Sequence, residues 1–132
     1  MKNEKTKVLV IFEDGRESLD SIAKQLKTSL ADAAAVKTRS ASEVAVAEIL
    51  AADAYVFGVG DSSAPAWTEI KRLLAGMNLA GRKAGFLVTK KGAADGIKVS
   101  FAPSELAIAA PDLLADPANG TSAWVQALIG AR

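Results

Sequence analysis

The chain has 132 residues, half of them hydrophobic, and its 16 basic side chains nearly balance 15 acidic ones. That is enough for one globular domain with its own core, and residues 1–132 are read as a single domain because no linker, repeat or low-complexity tract interrupts them. Neither cysteine nor histidine occurs, which excludes disulfides, thiolate catalysis, iron–sulfur ligation, Ser-His triads and the usual zinc sites. No block of like charge or set of stacking aromatics points to nucleic acid, and no run reaches the roughly 20 apolar residues of a spanning helix. Neither nucleic acid nor membrane is therefore expected as a partner. Met1 to Lys7 is charged with no apolar signal core behind it, so a cytoplasmic location is expected.

In chain order, Lys7 to Phe12 (KVLVIF) is a continuous apolar run, the pattern of a parallel strand buried on both faces. Leu19, Ile22, Leu26 and Leu30 then fall on one helical stripe, with Ser18 read as its N-cap. A weaker strand covers Ala35 to Thr38. Ser40 and Glu43 form a capping-box pattern ahead of a helix carrying Val46, Ile49 and Leu50. Ala54 to Val59 (AYVFGV) is the third strand. Pro65 suits a first helical turn, and Trp67, Ile70, Leu73, Leu74 and Met77 supply the next amphipathic face.

After a turn at Leu79 to Gly81, Ala84 to Val88 is the fourth strand and Leu106 to Ala109 the fifth. Between them, Thr89 to Ser104 carries Gly92, Gly96 and Pro103 and shows no sustained stripe, so the fourth helix should be short or irregular. Ser122 is read as the cap of a last helix with Trp124, Val125, Leu128 and Ile129 facing inward.

Strands alternating with helices imply right-handed crossovers, hence a five-stranded parallel sheet of order 2-1-3-4-5 in a three-layer αβα sandwich. In such a sheet ligands bind beyond the carboxyl ends of the strands. The three loops converging there are Glu13 to Ser18, Gly58 to Ala66 and Thr89 to Gly96.

The stretch AYVFGVGDSSAPAWTEIKRLLAGMNLAGRKAGFLVTKKG resembles the middle of flavodoxins, from their third strand through the ring-contacting loop to the fourth strand. LLADPANGTSAWVQALIGA is similar to their C-terminal helix and the acidic loop before it. The resemblance implies a flavodoxin-like fold, FMN as cofactor, electron transfer, and a redox partner protein. It places the phosphate at Gly15, Arg16, Glu17 and Ser18, and the ring near Gly58, Gly60, Asp61, Ser62, Ser63, Thr89, Lys90 and Lys91.

The first loop departs from the family. Flavodoxins present a Ser/Thr-Gly-Asn-Thr sequence whose hydroxyls and amides cradle the phosphate. Here Glu13, Asp14 and Glu17 bring three carboxylates near a dianion, and each unit-charge pair at about 4 Å repels by roughly 1–4 kcal/mol. Two readings stay open. Arg16, Ser18 and the loop amides form a working phosphate site, or the loop is a solvated turn on a binding or regulatory module that has lost the flavin. The second loop divides likewise, between ring contacts and a strand-to-helix turn capped by Ser63. A third reading, a degenerate response-regulator receiver, is suggested by Glu13, Asp14 and Thr89 but lacks an acidic acceptor at Gly58 and a Lys at Ala110.

Overall fold

The computed structural model describes residues 6–30, 34–108, 112–115 and 120–129. In order they form β1 (Thr6–Phe12), α1 (Glu17–Ser29), β2 (Ala34–Ser40), α2 (Val46–Ala51), β3 (Ala54–Val59) and a 3₁₀ turn (Pro65–Trp67) leading into α3 (Thr68–Ala75). Next come β4 (Lys83–Val88), α4 (Asp95–Phe101) with a 3₁₀ extension to Ser104, β5 (Ala107–Ile108), β6 (Leu113–Leu114) and α5 (Thr121–Ile129). No helix among the described residues is long and apolar enough to cross a membrane.

The sheet is parallel, in the expected order β2-β1-β3-β4-β5. Val10 lies between Thr38 of β2 and Val56 of β3, and Val56 in turn lies beside Gly85 of β4. Alternate residues of each strand enter opposite cores. Leu9, Ile11, Tyr55, Phe57, Phe86 and Val88 pack against Trp67, Ile70, Leu74, Ile97 and Phe101 on the side of α2, α3 and α4. Val8, Val10, Val56 and Leu87 pack against Ile22, Leu26, Val125 and Leu128 of α1 and α5. Both faces are dry, which is why the strand sequences run continuously apolar. Each fully buried Leu, Ile or Phe contributes about 1.5–3 kcal/mol.

Several local expectations need correction. Ser18 is not the cap of α1: Arg16 takes that position without a side-chain hydrogen bond, and Ser18 lies inside the first turn. Ser40 ends β2 instead of opening a capping box. The reach-back is made by Glu48, whose Oε1 accepts the Ala45 amide at 3.0 Å ahead of α2. With only six residues, α2 buries Ile49 but leaves Val46 and Leu50 exposed. Ser63 caps nothing; Ala64 precedes the 3₁₀ turn at Pro65. Ser122 is the second residue of α5 rather than its cap. Val125 and Leu128 face inward as expected and Trp124 is half-buried, while the Ile129 side chain lies outside the described residues.

The fourth crossover matches its expectation, since α4 has seven residues. The fifth strand is seen at Ala107–Ile108, within the expected span, and a sixth short strand also pairs with β4. β5 pairs Ala107 and Ile108 with Lys83 and Ala84, whereas β6 pairs Leu113 and Leu114 with Leu87 and Val88. Ala109, the expected end of that strand, lies outside the described residues.

Candidate functional site

Where β1 ends, Phe12 is half-buried and Glu13 turns inward with only 2% of its surface exposed. The Glu13 amide donates to the Gly58 carbonyl at 2.9 Å, which carries the edge of β1 onto β3. Its carboxylate then takes four donors. Oε1 accepts the amides of Gly60 at 2.9 Å and Asp61 at 2.8 Å, and the Trp67 indole N–H at 2.9 Å. Oε2 accepts Arg16 Nε at 2.7 Å.

Burial pushes the Glu13 carboxyl upward, but the bonds from Trp67, Asp61, Arg16 and Gly60 together hold it below the usual carboxylate range. Arg16 is 42% exposed, so its ion pair is partly screened and the three neutral N–H donors carry much of the stabilisation.

Gly60 permits this arrangement by having no side chain. A Cβ there would stand 2.5 Å from Arg16 Nε and 2.6 Å from Cζ, so the guanidinium lies against bare backbone. Gly58 is similarly enclosed, with a built Cβ 3.3 Å from both Leu19 and Phe12. Asp14 leans the other way and accepts the amide of Ser42 at 3.0 Å together with its hydroxyl, joining the first loop to the segment after β2.

The second loop also reaches the third. The Ser62 hydroxyl donates to the Ala93 carbonyl and accepts the Ile97 amide at 3.2 Å, and Gly96 leaves just enough room for it. Lys71 Nζ donates to the Ser62 carbonyl at 2.5 Å. Asp61 Oδ1 accepts the Ser63 amide at 2.8 Å, an Asx turn within the loop.

The structure therefore divides the residues singled out from sequence. Arg16, Gly60, Asp61 and Ser62 are drawn into contacts between loops. Gly15, in the left-handed region at φ +78°, and Glu17 and Ser18 in the first turn of α1 remain exposed. No side chain caps that turn, and a recess of about 370 Å³ beside it is lined by Phe12, Asp14, Gly15, Arg16, Glu17, Asp20 and Ser40. Thr89 bonds through its amide to the Val59 carbonyl at 3.1 Å. Lys90 and Lys91 are exposed, and Lys91 borders a separate cavity with Asp95 and Asp112.

Glu13 is the organising residue of these loops that sequence reasoning misses, since in the sequence it figures only as a repelling charge or as half of an acidic pair. One signal is available. A buried Trp needs an acceptor for its indole N–H, and Trp67 sits on an apolar stripe directly after the loop opposite Glu13.

No family model matches the chain, and no curated protein matches it. Solved structures do. A flavodoxin from Streptococcus pneumoniae superposes with a TM-score of 0.76 at 15% identity, covering 95% of this chain and 99% of that one. Flavodoxin 2 from Bacillus cereus gives 0.74 at 17% identity over 95% and 99% of the two chains. A mutant flavodoxin from Pseudomonas aeruginosa gives 0.70 at 14% identity over 95% and 100%. The chain has the flavodoxin-like fold, with a divergent sequence.

Several groups of these loops that would face FMN are engaged by the chain itself. The amides at Gly60 and Asp61 are taken by Glu13, and Ser62 is fastened to Ala93 and Ile97, which draws the second and third loops together. At the phosphate end, Asp14, Glu17 and Asp20 line the recess against a single Arg16. The receiver reading meets the same obstacle. Glu13 is enclosed by donors, and no group of three acidic residues among the described residues is placed to hold a metal ion.

Proposed function

We propose that the chain is a flavodoxin-fold binding or regulatory module that no longer works as an FMN-dependent electron carrier. One observation carries this reading: the buried Glu13 carboxylate satisfies the N–H donors of the loop that would face the ring. An anion fixed there by the chain itself leaves those donors nothing to offer a flavin edge. Around the locked loops, Asp61, Ser63, Lys90 and Lys91 stay exposed and of mixed charge, a surface suited to a protein partner. The same reading takes the domain as cytoplasmic.

The test is direct. The purified protein should be colourless, and FMN titrated into it should show no saturable quenching of flavin fluorescence. A yellow preparation that releases FMN, or a saturating titration, would overturn the reading.

The second reading, FMN-dependent electron transfer to a redox partner, is favoured by the open amides of the first α1 turn and by the half-exposed Arg16 beside them. It predicts that Glu17→Gln, which removes an exposed negative charge from the recess, tightens FMN binding but not riboflavin binding. Asp14→Asn is less clean because Asp14 also holds Ser42.

A further inference from the structure

The four donors around Glu13 come from three places: Gly60 and Asp61 in the loop after β3, Trp67 at the start of the next helical segment, and Arg16 before α1. Such convergence is what a receptor for a carboxylate requires: two adjacent amides and an indole on one oxygen, and a guanidinium on the other. We propose that this cradle is a carboxylate-binding site belonging to the β3–α3 loop, with the chain's own Glu13 as its tethered ligand. The latch so formed holds the loop in one position.

Glu13 lies at the end of β1 and brings its carboxylate to donors of which three, the Gly60 and Asp61 amides and the Trp67 indole N–H, belong to the segment after β3. Glu13→Ala should leave a buried opening lined by four N–H groups, the size of a small carboxylic acid. In the intact protein the tether holds the internal carboxylate at high effective concentration, so free carboxylates compete poorly. The inference does not depend on the proposed function. Flavin titration decides that reading, and carboxylate titration decides this one.

The experiment uses the full chain, with Trp124→Phe as background so that Trp67 alone reports by fluorescence. Glu13→Ala should lower the melting temperature by roughly 10 °C, the scale expected for several lost charge-assisted bonds in a domain of this size. Sodium acetate should restore part of that loss in a saturable manner and shift the Trp67 emission. Sodium chloride at the same ionic strength should do neither, and the parent with Glu13 intact should not respond to acetate beyond a salt effect. Acetate acting equally on both proteins, or chloride matching acetate, would overturn the proposal.

If Glu13→Ala does not fold, hydrogen exchange in the unaltered chain decides instead. The amides of Gly60 and Asp61 and the indole N–H of Trp67 should show protection within about tenfold of one another, as one cooperative opening requires. Protection scattered over roughly a hundredfold or more would mean that no common latch exists.

Discussion

At the scale of single residues, Glu13 shows how a charge changes meaning with burial. In the sequence it is one of three acids in a polar turn, and periodicity says nothing about which acid turns inward. The turn itself was legible. What settled the carboxylate's direction is a contact 54 positions away, the Trp67 indole. The consequence for acid stability follows from the sign of its shift. A carboxyl held below its ordinary range in the folded state contributes stability that is fully present above the unfolded value, about 4.3, and is lost as pH falls through the folded one. Glu13→Gln should therefore be less stable than the parent by about 2 kcal/mol or more at neutral pH, from lost charge-assisted bonds. That gap should narrow below about pH 4, as the parent's own carboxyl becomes protonated. Denaturant melts of both proteins from neutral pH downward measure it. A gap constant across the range would mean that the carboxylate is not what the donors hold.

At the scale of elements, the sequence read type and order well and endpoints poorly. β3 was legible to the residue because Ala54–Val59 is buried at every position and bounded by polar turns. Ser40 and Glu43 misled because Ser and Glu three apart is a common spacing, while Glu48 acquires its role from Ala45 and from Arg39 and Lys37 on β2. The C-terminal end of α2 is held by a residue far along the chain. Arg82 Nη1 donates to the carbonyls of Leu50 at 3.0 Å and Ala52 at 3.1 Å and to the Tyr55 hydroxyl at 3.0 Å. Such a long-range cap leaves no local mark.

The second pairing of β4, with Leu113–Leu114, was equally hidden, and Gly85 shows how α5 closes on that strand's face. A Cβ at Gly85 would stand 2.7 and 2.9 Å from ring atoms of Trp124, so α5 lays its indole on bare backbone of β4. Gly85→Ala should cost about 1–3 kcal/mol through overpacking. Trp124 should then emit at longer wavelength as the ring is pushed outward, in a Trp67→Phe background where it reports alone. Unchanged emission and stability would show that the ring is not confined there.

At the scale of the whole molecule, the order 2-1-3-4-5 follows from alternating elements and the handedness of crossovers, both visible in sequence. The centre of that sheet should be its least tolerant part. Val56 is fully buried between β1 and β4, on the face shared with α1 and α5. Val56→Asp buries an unpaired carboxylate and should abolish cooperative folding under conditions where the parent is stable, as read by circular dichroism melting. A melting temperature close to the parent's would place that strand elsewhere.

The edges of the sheet have a further consequence, for pairing with other chains. An intact edge strand offers a row of unpaired amides and carbonyls on which another chain can grow a sheet, and natural proteins blunt such edges. On the β5 side the described residues show two short pairings with β4, Ala107–Ile108 and Leu113–Leu114, whose registers on that strand differ by two residues. On the opposite side β2 carries Lys37 and Arg39, both paired to Glu48, so an incoming strand would have to disturb fixed charges. The two edges of the sheet differ, one by a shift of register and the other by paired charge, and each disfavours a further strand adding in line.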